Sequence, residues 1–214
     1  MSVNSIQTKP SVIFDWSGVI SNDLDIVLET YNDMFALYGK GPFSLTEFRK
    51  TFELPYDNYC KNVLGDTVSL ETLQYLFQDI YLKKTIQPYV IPGVEDILKR
   101  LKEAQIPMVV LSSHSFVKKE ARDYFPETEY FQKIYDDVPD KRDCIPFLLD
   151  EMRFNPETTF YVGDMIHDIE TGRHANVKTI AITTGYQSYE MLKSANPDFL
   201  INTLSELLPI LNIS

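Results

Sequence analysis

Cysteine is nearly absent from this chain: its 214 residues hold only Cys60 and Cys144. The two lie far apart with no His or Cys at ligand spacing, so neither a disulfide framework nor a zinc site is indicated. Positive charge is scarce too, with 20 Lys and Arg against 31 Asp and Glu and a net charge of −11. That balance argues against a nucleic-acid partner, because phosphate backbones are held mainly by Lys and Arg. It also means that any site for a small anion needs its own local cations. Long apolar runs are missing: nothing approaches the roughly 18 consecutive apolar residues of a membrane span. The polar start, Met1 to Lys9, has no apolar run after it, and a cytoplasmic protein with no membrane partner is expected. Internal repeats and low-complexity segments are lacking as well.

What is present is ordinary globular material, 44% hydrophobic and 24% charged, long enough for one good core and an inserted subdomain. Short β-rich runs at Val12 to Phe14, Met108 to Leu111, Lys133 to Tyr135, Thr159 to Val162, Thr179 to Ile182 and Phe199 to Ile201 alternate with helical stretches. Val94 to Glu103 and Ile145 to Met152 are two such stretches, each with apolar residues at helical spacing. This rhythm predicts an α/β fold, a Rossmann-like parallel sheet flanked by helices. Residues 21–87 break it with aromatic-rich helical patterns at Ile26 to Tyr38, Leu45 to Phe52 and Leu70 to Leu82. The break is too long for a loop, so an inserted α-helical cap is expected over 21–87, with the core formed by 1–20 and 88–214. A monomer or a homodimer is compatible with this organisation.

Four segments carry chemistry. In the first, the apolar run Val12-Ile13-Phe14 ends in Asp15-Trp16-Ser17-Gly18-Val19. The first polar residue after a buried parallel strand marks the carboxyl edge of the sheet, where α/β folds place ligands; an Asp there also serves simply to cap the turn. The second, Thr159 to Asp168, delivers Asp164 and Asp168 after another strand. On a helix starting at this point the two would share a face one turn apart, although acids also collect at helix N-termini for the macrodipole alone. Three carboxylates without His or Cys suit a hard cation of the Mg²⁺ type. The third is Val109 to His114, a strand ending in the hydroxyls of Ser112 and Ser113, which can bond phosphoryl oxygens. The fourth is Lys141, just before the stretch Ile145 to Met152.

In chain order, Asp15, Ser112, Lys141 and then Asp164-x-x-x-Asp168, the segments resemble the haloacid dehalogenase superfamily, in the branch with a helical cap inserted after the first strand, which includes phosphoglycolate phosphatases and β-phosphoglucomutase. The resemblance runs from Val12 to about Leu208. It implies that Asp15 is the nucleophile of a phosphatase working through an aspartyl phosphate on a small phosphorylated metabolite. By the same match Ser112 and Lys141 hold the phosphate, and Asp15, Asp164, Asp168 and the backbone carbonyl of Ser17 bind Mg²⁺. Thr183-Thr184-Gly185-Tyr186 is similar to the turn after the last core strand, and the segment from Arg49 to Tyr56 to a cap specificity loop in which Arg49 would meet a substrate anion.

One departure bears on catalysis. The family's phosphatases carry a second Asp two residues after the nucleophile, which protonates the leaving alcohol; Ser17 stands there. General acid–base catalysis is worth about 10²–10⁴ in rate, and a serine hydroxyl cannot act as an acid near neutral pH. The leaving group must then need little protonation, or another residue must supply the proton; His114 and His167 lie beside motif residues. Asp15-Trp16-Ser17-Gly18 is also close to the first motif of the family's phosphonatases, which cleave a carbon–phosphorus bond with a Schiff-base lysine in the cap. Lys50 and Lys61 are the cap lysines available for that alternative. A third reading is a non-catalytic phosphate- or metabolite-binding protein that kept the fold.

Overall fold

The computed structural model describes residues 9–213, so most of the polar N-terminal stretch lies outside the described residues. Six strands form a parallel sheet: β1 (Ser11–Phe14), β4 (Met108–Leu111), β5 (Lys133–Tyr135), β6 (Thr159–Gly163), β7 (Lys178–Ile182) and β8 (Phe199–Ile201), in the order β5-β4-β1-β6-β7-β8. Each contains or coincides with a run expected from the sequence. The central strand β1 pairs with β4 on one side and β6 on the other, as in Phe14 opposite Val110 and Val162. Chain order reverses at β1, and a crevice opens at such a switch point beyond the strands' carboxyl ends.

Alternation along the strands sorts side chains onto two covered faces. Val12 and Phe14 pack with Val110, Val162 and Ile180 against α5 (Val94–Glu103), α6 (Val117–Tyr124) and the terminal α10 (Leu207–Ile210). Ile13, Val109, Leu111 and Tyr161 face the other way, toward Ile145, Leu148 and Leu149 of α7 (Lys141–Met152). Beyond β6, Ile169 of α8 (Ile166–His174) and Leu192 of α9 (Tyr189–Ser194) close the sheet over Ala181. Among the described residues no helix is long and apolar enough to cross a membrane.

Four helices lie between residues 22 and 89: α1 (Leu24–Ala36), α2 (Leu45–Thr51), α3 (Tyr56–Leu64) and α4 (Leu70–Tyr81). Two short strands, β2 (Ser21–Asn22) and β3 (Tyr89–Val90), pair antiparallel where the insertion leaves and rejoins the core. The helices share an aromatic core in which Tyr31 sits within 6 Å of the rings of Phe35, Phe48, Phe52, Tyr59 and Phe77. Offset and edge-to-face aromatic pairs stabilise beyond their buried area. The same cluster takes in Met165 and Tyr186 from the sheet edge, so the insertion rests directly on the carboxyl ends of the strands.

Candidate active site

Each strand around the switch point delivers a polar group. Asp15 follows β1, Ser112 follows β4 and Asp164 follows β6, while Asp168 comes from the first turn of α8 and Lys141 from the first residue of α7. The helix carrying Lys141 starts four residues before the apolar stretch read from the sequence, because the Asp140 carboxylate accepts from the Arg142 backbone N–H and caps it. The expectation that Asp164 and Asp168 share a helix face is corrected: Asp164 lies in the turn before α8, and only Asp168 is helical. An Asp168 oxygen accepts from the Met165 backbone N–H at 3.1 Å, so Asp168 itself caps the helix and the turn ahead of it stays non-helical.

Asp15, Asp164 and Asp168 are all buried, with one oxygen of each within 4.8 Å of the others. The Lys141 ammonium, 2% exposed, lies 2.9 Å from Asp15 Oδ2 and 2.8 Å from Asp168 Oδ1. Asp15 Oδ1 accepts from the Trp16 backbone N–H at 2.7 Å, and Asp168 Oδ1 also accepts from the Tyr161 hydroxyl at 2.9 Å. Asp164 Oδ2 accepts from the Tyr186 backbone N–H at 2.6 Å, while its Oδ1 is buried with no hydrogen-bond partner. Backbone is drawn tightly round this group. Gly18 holds a φ of +74°, and any Cβ on Gly18 or Gly185 would collide with the Asp164 carboxylate.

Burial sets the electrostatics. Loss of solvent pushes Asp15 up to about 6, against the pull of Lys141, and raises Asp164 well above the usual carboxylate range with the help of Asp168 and Asp15. For Lys141 burial acts downward, but the two carboxylates at its ammonium win and its pKa is raised. With all four groups ionised, three carboxylates against one ammonium leave two uncompensated negative charges. That charge and the orphaned Asp164 oxygen fit a hard divalent cation held by Asp15, Asp164 and Asp168.

The group opens into a cavity of about 460 Å³ between the sheet edge and the helical insertion. Ser17, Ser112, Ser113 and His114 also line it, and Ser112 Oγ accepts from the His114 backbone N–H at 3.2 Å. His114 Nε2 lies 2.9 Å from Glu120 Oε1, and the Trp16 indole donates to Glu120 Oε2 at 2.6 Å. Burial lowers the His114 pKa, but Glu120 more than compensates. His167 is half-buried, has its pKa lowered by burial, and does not line the cavity. Arg49 does not line it either: its guanidinium donates to the Thr184 carbonyl at 3.3 Å, tying the insertion to the turn after β7. Lys50 and Lys61 are exposed and outside the cavity, Lys61 paired with Asp57 at 3.2 Å.

Two contributors escape the sequence reading. Asp23, 4% exposed, accepts from Ser17 Oγ at 2.7 Å and from the Tyr186 hydroxyl at 2.9 Å. Burial raises its pKa, opposed by the Ser17 hydrogen bond. Gln187 joins insertion to core, its amide donating to the Phe52 carbonyl at 3.1 Å and accepting from the Ile166 backbone N–H at 2.6 Å. Asp23 lies beyond the strand motif that frames Asp15, and the turn closed by the Gly18 N–H on the Ser21 carbonyl at 2.8 Å and the Ser21 N–H on the Trp16 carbonyl at 3.0 Å brings it back to Ser17.

A family model described as haloacid dehalogenase-like hydrolase matches residues 12–182. Among curated proteins, the chain is 30% identical over 206 residues to a phosphoglycolate phosphatase of Synechococcus elongatus, covering 92% of this chain and 95% of that one. It is 22% identical over 212 residues to a pyrophosphatase of Halalkalibacterium halodurans, covering 95% and 97% of the two chains. Among solved structures, a haloacid dehalogenase-like family hydrolase of Streptococcus pneumoniae superposes with a TM-score of 0.76 at 21% identity, over 94% of this chain and 98% of that one.

Proposed function

The chain belongs to the haloacid dehalogenase-like hydrolases, and from that premise we propose that it is a Mg²⁺-dependent phosphatase of a small phosphorylated metabolite. In this reading Asp15 is the nucleophile and residues 21–87 are the cap over the substrate. The observation that carries it is the buried group of three carboxylates around one ammonium, from which Asp15, Asp164 and Lys141 line the cavity. Asp15, Asp164, Asp168 and the Ser17 backbone carbonyl would hold the cation. When bound, Mg²⁺ neutralises phosphoryl oxygens and lines them up with the attacking group.

The chain's own residues do the rest. The Asp15 carboxylate attacks phosphorus, the bond from phosphorus to the leaving oxygen breaks, and water then releases phosphate from the acyl phosphate so formed. Lys141 offsets the charge of both Asp15 and the incoming phosphate, lowering the repulsion between two anions. Ser112, with the backbone N–H groups of its turn, binds the remaining phosphoryl oxygens. The phosphonatase alternative lacks its lysine: among the described residues, Lys141 is the one lysine lining the cavity, and it belongs to the core. Turnover of p-nitrophenyl phosphate and acetyl phosphate is expected with Mg²⁺ and is expected to disappear with EDTA. Turnover of neither, at any pH from 5 to 9, would overturn the reading, and tight Mg²⁺-dependent ligand binding without turnover would favour a binding protein.

Ser17 sets the leaving-group preference, and the structure changes what its replacement should do. A carboxylate introduced there meets Asp23, whose Oδ2 lies 2.7 Å from Ser17 Oγ, and two carboxylates that close share one proton, which Asp23 then withholds from the leaving group. Ser17→Asp is expected to raise kcat/KM on alkyl phosphates by only about tenfold. Combined with Asp23→Asn, which keeps a hydrogen-bonding partner, the gain should approach about 10²-fold, the lower end for a general acid. Steady-state kinetics on glycerol phosphate checks this, and equal gains from the single and double variants would remove the role given to Asp23.

A further inference from the structure

Beyond the phosphate seat, the cavity wall is unlike one built for a second anion. Val27 and Met34 of α1, Leu54 before α3, and Leu73, Phe77 and Tyr81 of α4 form its upper part. The uncharged Gln74 and Gln78 sit among them, Gln74 donating to the Tyr56 hydroxyl at 2.6 Å. Among the described lining residues the basic groups are Lys141 and His114. Lys141 is committed to Asp15 and Asp168, and His114 to Glu120. Asp23, the residue before α1, is an acid that lines the same space.

An anion moved into such a wall loses hydration and gains no partner, a cost of several powers of ten in affinity. Phosphoglycolate carries a carboxylate and pyrophosphate a second phosphate, so each brings the charge this wall has nothing to pair. An apolar ring, in contrast, gains by burying its surface and by edge contacts with Phe77 and Tyr81, whose own rings stack 5.9 Å apart. The cavity, at about 460 Å³, lies in the size range of ordinary small-molecule sites, roughly 300–1,000 Å³. Ser17 points independently to the same chemistry, because phenoxide-type and carboxylate leaving groups depart with little protonation.

We propose that the substrate is a monophosphate whose leaving group is an uncharged, apolar, ring-sized unit, an aryl or aroyl phosphate, selected by the apolar wall of α1 and α4. The assignment rests on the phosphatase reading above. The balance is that of that reaction: the phosphorus–oxygen bond to the aryl or aroyl oxygen breaks, the Asp15–phosphorus bond forms, and the oxygen leaves with the electron pair.

With Mg²⁺ present, kcat/KM for 1-naphthyl phosphate is expected to exceed that for phosphoglycolate and for pyrophosphate by about 100-fold or more. Equal or better turnover of either anionic substrate would overturn the proposal. Phe77→Ala should lower kcat/KM on naphthyl phosphate by about tenfold and on acetyl phosphate by less than about threefold; equal losses on both would count as overturning it. Calorimetric binding of 1-naphthylmethylphosphonate and phosphonoacetate, with Mg²⁺, separates the two levels of the argument. Tighter binding of the aromatic ligand by about tenfold or more, with no turnover of any phosphate, retains the wall's selectivity and removes the phosphatase reading. Equal affinities, or binding of neither, remove the proposal itself.

Discussion

Asp15→Asn is expected to lower Mg²⁺-dependent phosphatase turnover by about 10⁴-fold or more, without loss of the folded state. Removal of a nucleophile that acts as part of a unit costs nearly all of the catalysis that the unit supplies. Asn keeps the shape and retains an oxygen for the Trp16 backbone N–H, which now donates to Asp15 Oδ1 at 2.7 Å. It loses the ion pair with Lys141, but that ammonium still has Asp168 at 2.8 Å. The variant also removes one of three buried carboxylates that repel one another in the metal-free protein, so its melting temperature in EDTA should not fall below that of the unaltered chain. Rapid-quench measurement with acetyl phosphate checks the chemistry: a phosphoenzyme should accumulate or turn over in the unaltered protein and be absent from the variant. A variant that retains more than about a tenth of the turnover would show that Asp15 is not the phosphoryl acceptor.

How far the sequence foretells this structure depends on where the information lies along the chain. Six sheet strands are legible because each is a short apolar run bounded by turns, and three of them, Met108–Leu111, Lys133–Tyr135 and Phe199–Ile201, match to the residue. Asp15 and Asp164 are legible for a related reason, each following a strand whose end is marked by its pattern, whereas Asp168 and Lys141 open helices and are legible through the order of the motifs. The two-residue strands Ser21–Asn22 and Tyr89–Val90 have no periodicity to read, since their pairing is made by chain ends nearly seventy residues apart. Helix α3 falls outside the helical patterns legible in the sequence, although Tyr59, Cys60 and Leu64 are buried on it. Its Tyr, Asn, Cys and Val residues are poor helix formers, and tertiary burial supplies what propensity does not.

The site's second layer is hidden for the same physical reason. Asp23 and Gln187 reach the site from loop or loop-proximal positions, and no spacing rule relates Asp23 to its partner Tyr186 across 163 residues. Arg49 is placed by a contact that its cap segment does not announce. A cation in a cap segment suggests an anion seat, but this one uses its guanidinium on a backbone carbonyl of the core. With Arg49 outside the cavity, the basic groups among the described lining residues are Lys141 and His114, which is one support for the apolar substrate proposed above.

Lys141→Met tests whether the charge balance of the site is a condition of folding as well as of catalysis. Methionine fills most of the space of a side chain that is 2% exposed, so packing is nearly kept while the single cation among three buried carboxylates is lost. Breaking a buried pair by removing one partner costs about 3–5 kcal/mol. For a chain of this size that corresponds to a drop in Tm of roughly 6–20 °C in EDTA. Two further shifts follow from the sign of the missing charge. Saturating Mg²⁺ should raise the variant's Tm by more than it raises that of the unaltered protein, because the cation then replaces the ammonium and binds only the folded state. Lowering the pH from 8 toward 5 should also narrow the gap between the two proteins, since protonating a carboxylate relieves the same excess. Differential scanning calorimetry with EDTA or Mg²⁺ across that range decides the matter. A gap that ignores both Mg²⁺ and pH would assign the loss to packing around residue 141, and the ammonium would then be needed for phosphate binding alone.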